Sequence, residues 1–381
     1  MKQTKGRLHG SDVELLGKVT LKGKSILNRS DYIYVGNVKT CPMGYLASIT
    51  NETDVSGTKP IVSDVNINLF NEGDVVLITK EGVITFLYEM GSHQNAVMAT
   101  ELCNHRCIMC PQPPVLKEQN KTDFNLKLIS LFDKATTEVG ITGGEPTMIG
   151  DDLFNLINAI KKHCPKAAIT ILSNGVKFAD KAYAMKLAQC GHPNLQVDVP
   201  LFSDIPEIHN AIVGAKTFYK SIQGLYNLAL FNIRIGIRFV VHRKTYDRMV
   251  KFADFIYHNL PFVSQVAFMQ METVGMAEKN IEDLWIDPFD YNNELKEAVL
   301  LLNDRRMNPL IYNAQLCVLP EEIRPFAMQS ISDWKDVFVE ECEGCSLKSK
   351  CAGFFAGNKE HLSTHIHKIE SISENDISCV N

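Results

Sequence analysis

Apolar and polar positions follow two different rhythms along this chain. From residue 1 to about residue 92, short β-branched and aromatic runs such as Tyr32-Ile-Tyr-Val35, Asp74-Val-Val-Leu-Ile-Thr79 and Gly82-Val-Ile-Thr-Phe-Leu-Tyr88 are separated by Gly, Asn and Asp. That is the pattern of strands closed by turns, and the break at Lys80-Glu81-Gly82 predicts a hairpin. Near Asn95 the rhythm changes. Apolar runs at residues 96–100, 138–142, 168–173, 195–201, 234–241 and 264–270 alternate with helical patterns at 125–135, 151–162, 177–189, 217–230 and 246–258. In the second helical segment Leu153, Leu156, Ile157 and Ile160 recur at three- and four-residue spacing, which places them on one face. Alternating strands and helices predict βαβ units on a parallel sheet, and six such units make an open, partial (β/α)6 barrel. Beyond about Thr273 the alternation stops, apart from a helical pattern at 288–305. The expected fold class is therefore α/β, with a β-rich amino-terminal domain at 1–94, a barrel core at 95–280 and a cysteine-rich extension at 281–381.

Composition narrows the function. A length of 381 residues suits two or three domains, and a formal charge of −5 gives no overall basic field, so a nucleic-acid partner is not expected. Residues 1–10 are polar and basic with no apolar run behind them, and no stretch of about eighteen apolar residues is present. The expectation is a cytoplasmic protein with no membrane partner. In a reducing compartment its eleven cysteines are not disulfide partners. Cys41, Cys164 and Cys190 read as small buried hydrophobes. The others fall into Cys103, Cys107 and Cys110 at C-x3-C-x2-C, then Cys342, Cys345 and Cys351 at C-x2-C-x5-C, with Cys317 and Cys379 apart.

Three thiolates on one loop cannot close a tetrahedral zinc site or a four-cysteine cluster, so one metal position stays open for a substrate or cosubstrate. The first cysteine loop follows the first predicted strand, at the carboxyl edge where ligands gather in parallel β/α folds. Thr142-Gly-Gly-Glu-Pro146 follows the second strand and Ser173-Asn-Gly175 the third. Paired glycines allow close backbone approach, and the Glu145 carboxylate can accept from an ammonium group, which suits an amino-acid ligand.

Together, the cysteine loop, the Gly-Gly-Glu-Pro turn and the six-unit pattern resemble the radical S-adenosylmethionine (SAM) superfamily over about residues 95–273. By that resemblance Cys103, Cys107 and Cys110 hold a [4Fe–4S] cluster whose open iron binds the amino and carboxylate groups of S-adenosylmethionine. Gly143, Gly144, Glu145 and Pro146 would hold its methionyl end, with Ser173 and Asn174 as polar contacts. Arg238 is the best placed of Arg234, Arg238 and Arg243 to meet a carboxylate, with surface pairing the equal alternative. Met109 stands where the family commonly has an aromatic residue, and its thioether can still pack against adenine.

The second cysteine group resembles the SPASM or twitch extensions that carry an auxiliary cluster, although Phe355 occupies the position of their next cysteine. The fourth ligand would then be Cys317, or failing that Cys379, with zinc as the alternative to a second [4Fe–4S] cluster. A closer resemblance is to the C-type maturase of His-Xaa-Ser radical SAM systems. It rests on Met109-Cys-Pro-Gln-Pro-Pro114, Leu316-Cys-Val-Leu-Pro320, Ser330-Ile-Ser-Asp-Trp334 and Cys342-Glu-Gly-Cys345 leading to Cys351-Ala-Gly-Phe-Phe355. That likeness implies a maturase of a ribosomally made precursor peptide, working beside a second radical SAM enzyme and supplied by a reductant such as flavodoxin or ferredoxin. Radical chemistry on a nucleic acid, a small metabolite or another enzyme is the alternative. His105 and Arg106 read as loop polarity, and His361, His365 and His367 as a solvated tail.

Overall fold

The structure is a computed structural model that describes residues 2–329, 337–355, 357 and 361–370. The amino-terminal rhythm becomes strands β1 (Gln3–Lys5), β2 (Arg7–His9), β3 (Leu15–Thr20), β4 (Tyr32–Val35), β5 (Ala47–Ile49), β6 (Ile61–Ser63), β7 (Val75–Ile78) and β8 (Val83–Tyr88). They form one eight-stranded sheet in the order β1-β8-β7-β3-β4-β5-β6-β2. The expected hairpin is present: β7 and β8 pair antiparallel, and Gly82 turns the chain at φ 76°. The sheet is mixed, because β3, β4, β5 and β6 pair parallel. Its inward residues, including Val19, Ile33, Ile49, Val62, Ile78 and Ile84, form a closed apolar core.

The second rhythm becomes β9 (Ala96–Met98), α1 (Thr122–Ser130), β10 (Glu138–Thr142), α2 (Asp152–His163), β11 (Ala168–Leu172), α3 (Lys181–Gln189) and β12 (Leu195–Pro200). It continues through α4 (Pro206–Val213), α5 (Phe218–Leu230), β13 (Arg234–Val241), α6 (Met249–Asn259) and β14 (Gln265–Gln270). All six expected strands are there. A seventh, β15 (Pro309–Tyr312), follows the short helices α7 (Met276–Lys279) and α8 (Ile281–Leu284) and the longer α9 (Asn292–Asp304). It pairs parallel with β14, so the sheet runs β15-β14-β13-β12-β11-β10-β9 in chain order. Four residues are too few to show periodicity, and β15 exists because the edge of β14 offers it a ladder.

Helix boundaries follow local chemistry. The pattern expected at 177–189 starts as a helix only at Lys181, because Gly175 in the left-handed region opens a 3-10 turn and Asp180 then caps α3 by accepting from Ala182 N–H. Unanticipated α4 carries its own punctuation, Pro206 in the first turn and Gly214 at φ 64° beyond the last. By packing, the chain divides into two compact units, Met1–Ala99 with Asn120–Ile141 and Asp151–Ile169, and Thr100–Gln119 with Thr142–Gly150 and Thr170–Asn381. Every expected site residue that is described falls in the second. No helix among the described residues is long and apolar enough to cross a membrane.

Candidate active site and second cysteine group

The loop carrying Cys103, Cys107 and Cys110 has little regular structure and is held by its backbone. Arg106 N–H donates to Val213 O at 2.9 Å and Ile108 N–H to Ile212 O at 3.0 Å, both at the end of α4. From the other side Met276 N–H donates to Cys110 O at 2.8 Å, and the Asn280 amide donates to Ile108 O at 2.8 Å. Gly275 makes this approach possible, since a Cβ there would stand 2.5 Å from Pro111 O and 2.7 Å from Cys110 O. Met109 is buried in the apolar cluster with Phe202, Ile212, Met271 and Leu284, and Cys107 packs against the same cluster. His105 is more than loop polarity. It is buried, its Nε2 lies 2.9 Å from Thr217 Oγ1, and burial holds its pKa at about 4, so the ring is neutral and structural.

The three sulfurs feel one another. Burial, and then the neighbouring Cys110 and Cys103, push the Cys107 thiol up to about 12; burial also raises Cys103 and Cys110. Three converging, desolvated thiols are poor anions by themselves, and a cationic metal centre is what makes them thiolates. The donor set thus fits an iron–sulfur cluster with one open position.

The Gly-Gly-Glu-Pro turn lies directly against this loop. Gly144 N–H donates to Thr100 O and Glu145 N–H to Leu102 O, each at 2.7 Å. A Cβ on Gly143 would stand 2.2 Å from Thr100 O, and one on Gly144 2.3 Å from Leu102 O. The glycines therefore admit the cysteine loop itself. The Glu145 carboxylate is buried and faces four donors of the chain. Oε1 accepts from Thr147 N–H (3.0 Å), Thr147 Oγ1 (2.7 Å) and Ser173 Oγ (2.8 Å), and Oε2 from Asn174 N–H (2.6 Å). Burial raises its pKa despite those bonds. Asn174 in turn donates from Nδ2 to Asn104 Oδ1 at 2.6 Å. Gly143, Gly144, Glu145, Pro146, Ser173 and Asn174 thus form one hydrogen-bonded block with the cysteine loop.

Arg238 lies on β13, beside Pro200 of β12, and its Nε is 3.3 Å from Met269 Sδ. Its strand face meets a residue the sequence reading passed over, Asp198. Burial pushes the Asp198 carboxyl up, while the Gln196 amide and the charges of Arg238 and Arg234 pull it down. Gly236 makes room for it, since a Cβ would stand 2.2 Å from Asp198 Oδ1. An acid in the middle of the apolar run Val197-Asp-Val199 was the available signal.

Cys317, Cys342, Cys345 and Cys351 line a single cavity together with Leu347 and His367. Backbone N–H groups point at their sulfurs, from Ile369 to Cys345 and from Gly353 to Cys351 at 3.5 Å each, and from His367 to Cys317. Cys379 lies outside the described residues, as does Ser330–Trp334. Among the described residues no three His, Cys, Asp or Glu side chains are arranged to hold a single metal ion. Of the three histidines expected in a solvated tail, His365 and His367 are exposed, although His365 stacks on Phe289 at 3.7 Å and His367 borders the cysteine cavity; His361 is half-buried near Trp285. The sequence could not show this, because the aromatic partners lie some eighty positions earlier.

A neighbouring cavity enclosing about 430 Å³, including its open mouth, is lined by Gln270, Thr273, Trp285, Tyr291, Gln315 and Phe354 among others. Gln315 and Phe354 also line the cysteine cavity. Its Met271, Leu284 and Trp285 belong to the apolar cluster that holds Met109 and Cys107. The cavity therefore shares residues with the apolar cluster beside the first cysteine loop and with the lining of the second cysteine group.

A β/α sheet thus carries a three-cysteine loop clamped beside a Gly-Gly-Glu-Pro turn. Residues 97–256 match the family model of the Radical SAM superfamily. Among curated proteins it is 27% identical over 188 residues to a GTP 3',8-cyclase of Desulforamulus reducens, covering 47% of this chain and 55% of the relative. It is 25% identical over 211 residues to the Fe-coproporphyrin III synthase of Methanosarcina barkeri, covering 54% of this chain and 49% of the relative. The chain thus spans about half the length of these curated relatives. Among solved structures, native anSMEcpe with bound AdoMet shares the fold at a TM-score of 0.50 and 17% identity, over 72% of this chain and 91% of that one.

Proposed function

We propose that the protein is a radical SAM enzyme that modifies a ribosomally synthesised precursor peptide, with a His-Xaa-Ser repeat peptide as the substrate the sequence motifs favour. The observation that carries this reading is the cavity that shares residues with the surroundings of both cysteine groups, whose described lining residues include no Lys, Arg, Asp or Glu. A nucleoside triphosphate needs cations around its phosphates, whereas a peptide segment needs neutral hydrogen-bonding groups on an apolar wall. The GTP 3',8-cyclase relatives favour a nucleotide as the second reading.

In this reading Cys103, Cys107 and Cys110 hold a [4Fe–4S] cluster and Cys317, Cys342, Cys345 and Cys351 an auxiliary one. When bound, the first cluster and S-adenosylmethionine supply the 5'-deoxyadenosyl radical that removes hydrogen from an unactivated carbon. The chain's own part is to position and exclude water. Glu145 ties the turn at 143–147 to Ser173 and Asn174, and the block they form supports the methionyl end of the cosubstrate. Met109 closes the apolar side, and Arg238 with Asp198 sets the charge on the β12–β13 face. For the second site, four sulfurs around one cavity with backbone N–H donors suit a cube better than zinc, which would draw them together. The division into 1–94, 95–280 and 281–381, a cytoplasmic setting, a flavodoxin- or ferredoxin-like reductant and a second maturase as partner belong to the same proposal.

The test is co-expression with a His-Xaa-Ser repeat peptide and mass spectrometry of the product. A mass change that requires Cys103 supports the reading. An unmodified peptide together with turnover of GTP by the anaerobically reconstituted protein would replace it with the nucleotide reading.

A further inference from the structure

Neighbouring strands β12 and β13 carry a carboxylate and a guanidinium that the chain leaves incompletely paired. Phe239 rests on Phe252 of α6 with ring centroids 4.5 Å apart, so strand alternation sends Gly236, Arg238 and Val240 to the face turned away from that helix. Val240 packs against the apolar cluster of Met109, as Cys107 does, so this face leads to the first cysteine loop. Register sets Asp198 opposite Gly236 and Pro200 opposite Arg238, which puts Asp198 on the same face. Asp198 is only 8% exposed. Its Oδ1 accepts from Gln196 Nε2 at 2.8 Å, and Ser264 Oγ donates to Gln196 Oε1 at 3.5 Å, which orients that amide. Asp198 Oδ2 accepts no hydrogen bond among the described residues and is not sealed from the surface. Arg238 spends its Nε on Met269 Sδ, and its two terminal nitrogens meet no acceptor among the described residues. The two charges influence each other without forming an ion pair.

A buried carboxylate oxygen without a donor is costly, and folded chains keep such groups where a ligand completes them. Two residues along the strand and one strand across put the Asp198 and Arg238 backbones about 8 Å apart. A lone anion would meet Asp198 and a lone cation Arg238, whereas a neutral group with a donor at one end and an acceptor at the other satisfies both. We propose that Asp198 and Arg238 together bind one backbone amide group of the substrate peptide, Asp198 Oδ2 accepting from its N–H and an Arg238 terminal nitrogen donating to its C=O. The proposal rests on the peptide reading and names the residues that seat that peptide on the face leading to the first cysteine loop. Both hydrogen bonds are charge-assisted and independent of the peptide's side chains, so the pair fixes the backbone and leaves side-chain selection to other residues. The amino and carboxylate groups of S-adenosylmethionine offer the same combination of donor and acceptor, and the test separates the two sources.

The test is calorimetric titration of the full, anaerobically reconstituted chain with a synthetic peptide of tandem His-Ala-Ser units and with analogues N-methylated at one backbone amide each. In wild type one N-methylation is expected to weaken binding about tenfold, or about 1.4 kcal/mol. Asp198→Asn keeps the volume and an acceptor for Gln196 but turns a donor towards the ligand. It should bind the parent about tenfold more weakly and no longer distinguish that analogue from it. Arg238→Met keeps the contact with Met269 apolar and should weaken the parent by a similar factor, while the N-methylation penalty persists. The proposal is overturned, and the peptide reading left standing, if no N-methylation matters to wild type, if the penalty survives in Asp198→Asn, or if Arg238→Met binds the parent as wild type does. A loss of S-adenosylmethionine affinity in either variant with peptide affinity kept assigns the pair to the cosubstrate and overturns it as well. No binding of the parent peptide by wild type sinks both readings.

Discussion

Replacing Gly144 by Ala tests whether the glycine pair serves the cysteine loop. The new Cβ would stand 2.3 Å from Leu102 O, 2.7 Å from Leu102 C and 2.9 Å from Glu101 O. Carbon and oxygen rest at about 3.3 Å or more, so the closest contact is short by roughly 1 Å. The opposing atoms are backbone, and Leu102 O already accepts from Glu145 N–H at 2.7 Å, so no rotamer change relieves the overlap. Either the turn or the segment leading into Cys103 must shift, at a cost of about 1–3 kcal/mol if the fold absorbs it. A displacement of about 1 Å beside reacting groups can also cost roughly a hundredfold in rate. Iron and sulfide content after anaerobic reconstitution, with electron paramagnetic resonance of the reduced protein, reads the effect directly. On the proposed two-cluster reading, Gly144→Ala should lose about half its iron and the signal of the cluster on the first cysteine loop, because the second cysteine group is untouched. Gly23→Ala, where an added Cβ meets nothing within 4 Å, is the control and should match wild type. Full iron content and an unshifted spectrum in Gly144→Ala would refute the account of the turn.

Further outcomes follow from the same geometry. On the same proposed reading, Cys317→Ala should remove the auxiliary cluster and leave S-adenosylmethionine cleavage without peptide intact; an unchanged metal content would show that Cys317 is no ligand, and stoichiometric zinc in wild type would replace the cluster there. Glu145→Gln puts an amide N–H₂ where one carboxylate oxygen accepts hydrogen bonds, and should cost about 1–3 kcal/mol in urea unfolding together with weaker S-adenosylmethionine binding; wild-type values for both would remove its bridging role. His242 is buried with its pKa held at about 4, first by desolvation and then by Lys244, against 6.5 when exposed. The unfolded chain binds the extra proton first, so the stability His242 contributes is present above about pH 6.5 and declines as pH falls towards 4, by up to roughly 3 kcal/mol. His242→Gln should flatten that part of the stability–pH curve, and an identical slope in the variant would count against the burial argument.

The place of the first cysteine loop after a strand was legible because it is local. Cys103, Cys107 and Cys110 lie within eight residues, and their spacing states how many thiolates one loop can offer. The six parallel strands and most helices were legible too, since a buried strand or helix face prints its period on the chain. Tertiary structure decided the rest, for a common reason: the partners are far apart in sequence. It decided that the glycines of the turn admit the cysteine loop, that Glu145 meets Ser173 and Asn174, and that four-residue β15 completes the sheet. It brought Cys317 to Cys342, Cys345 and Cys351, and it set half-buried His361 beside Trp285 and exposed His365 over Phe289. Periodicity and spacing record what a residue needs, burial or a metal or a turn; which distant residue meets that need depends on close packing of the folded chain, and no local pattern encodes it.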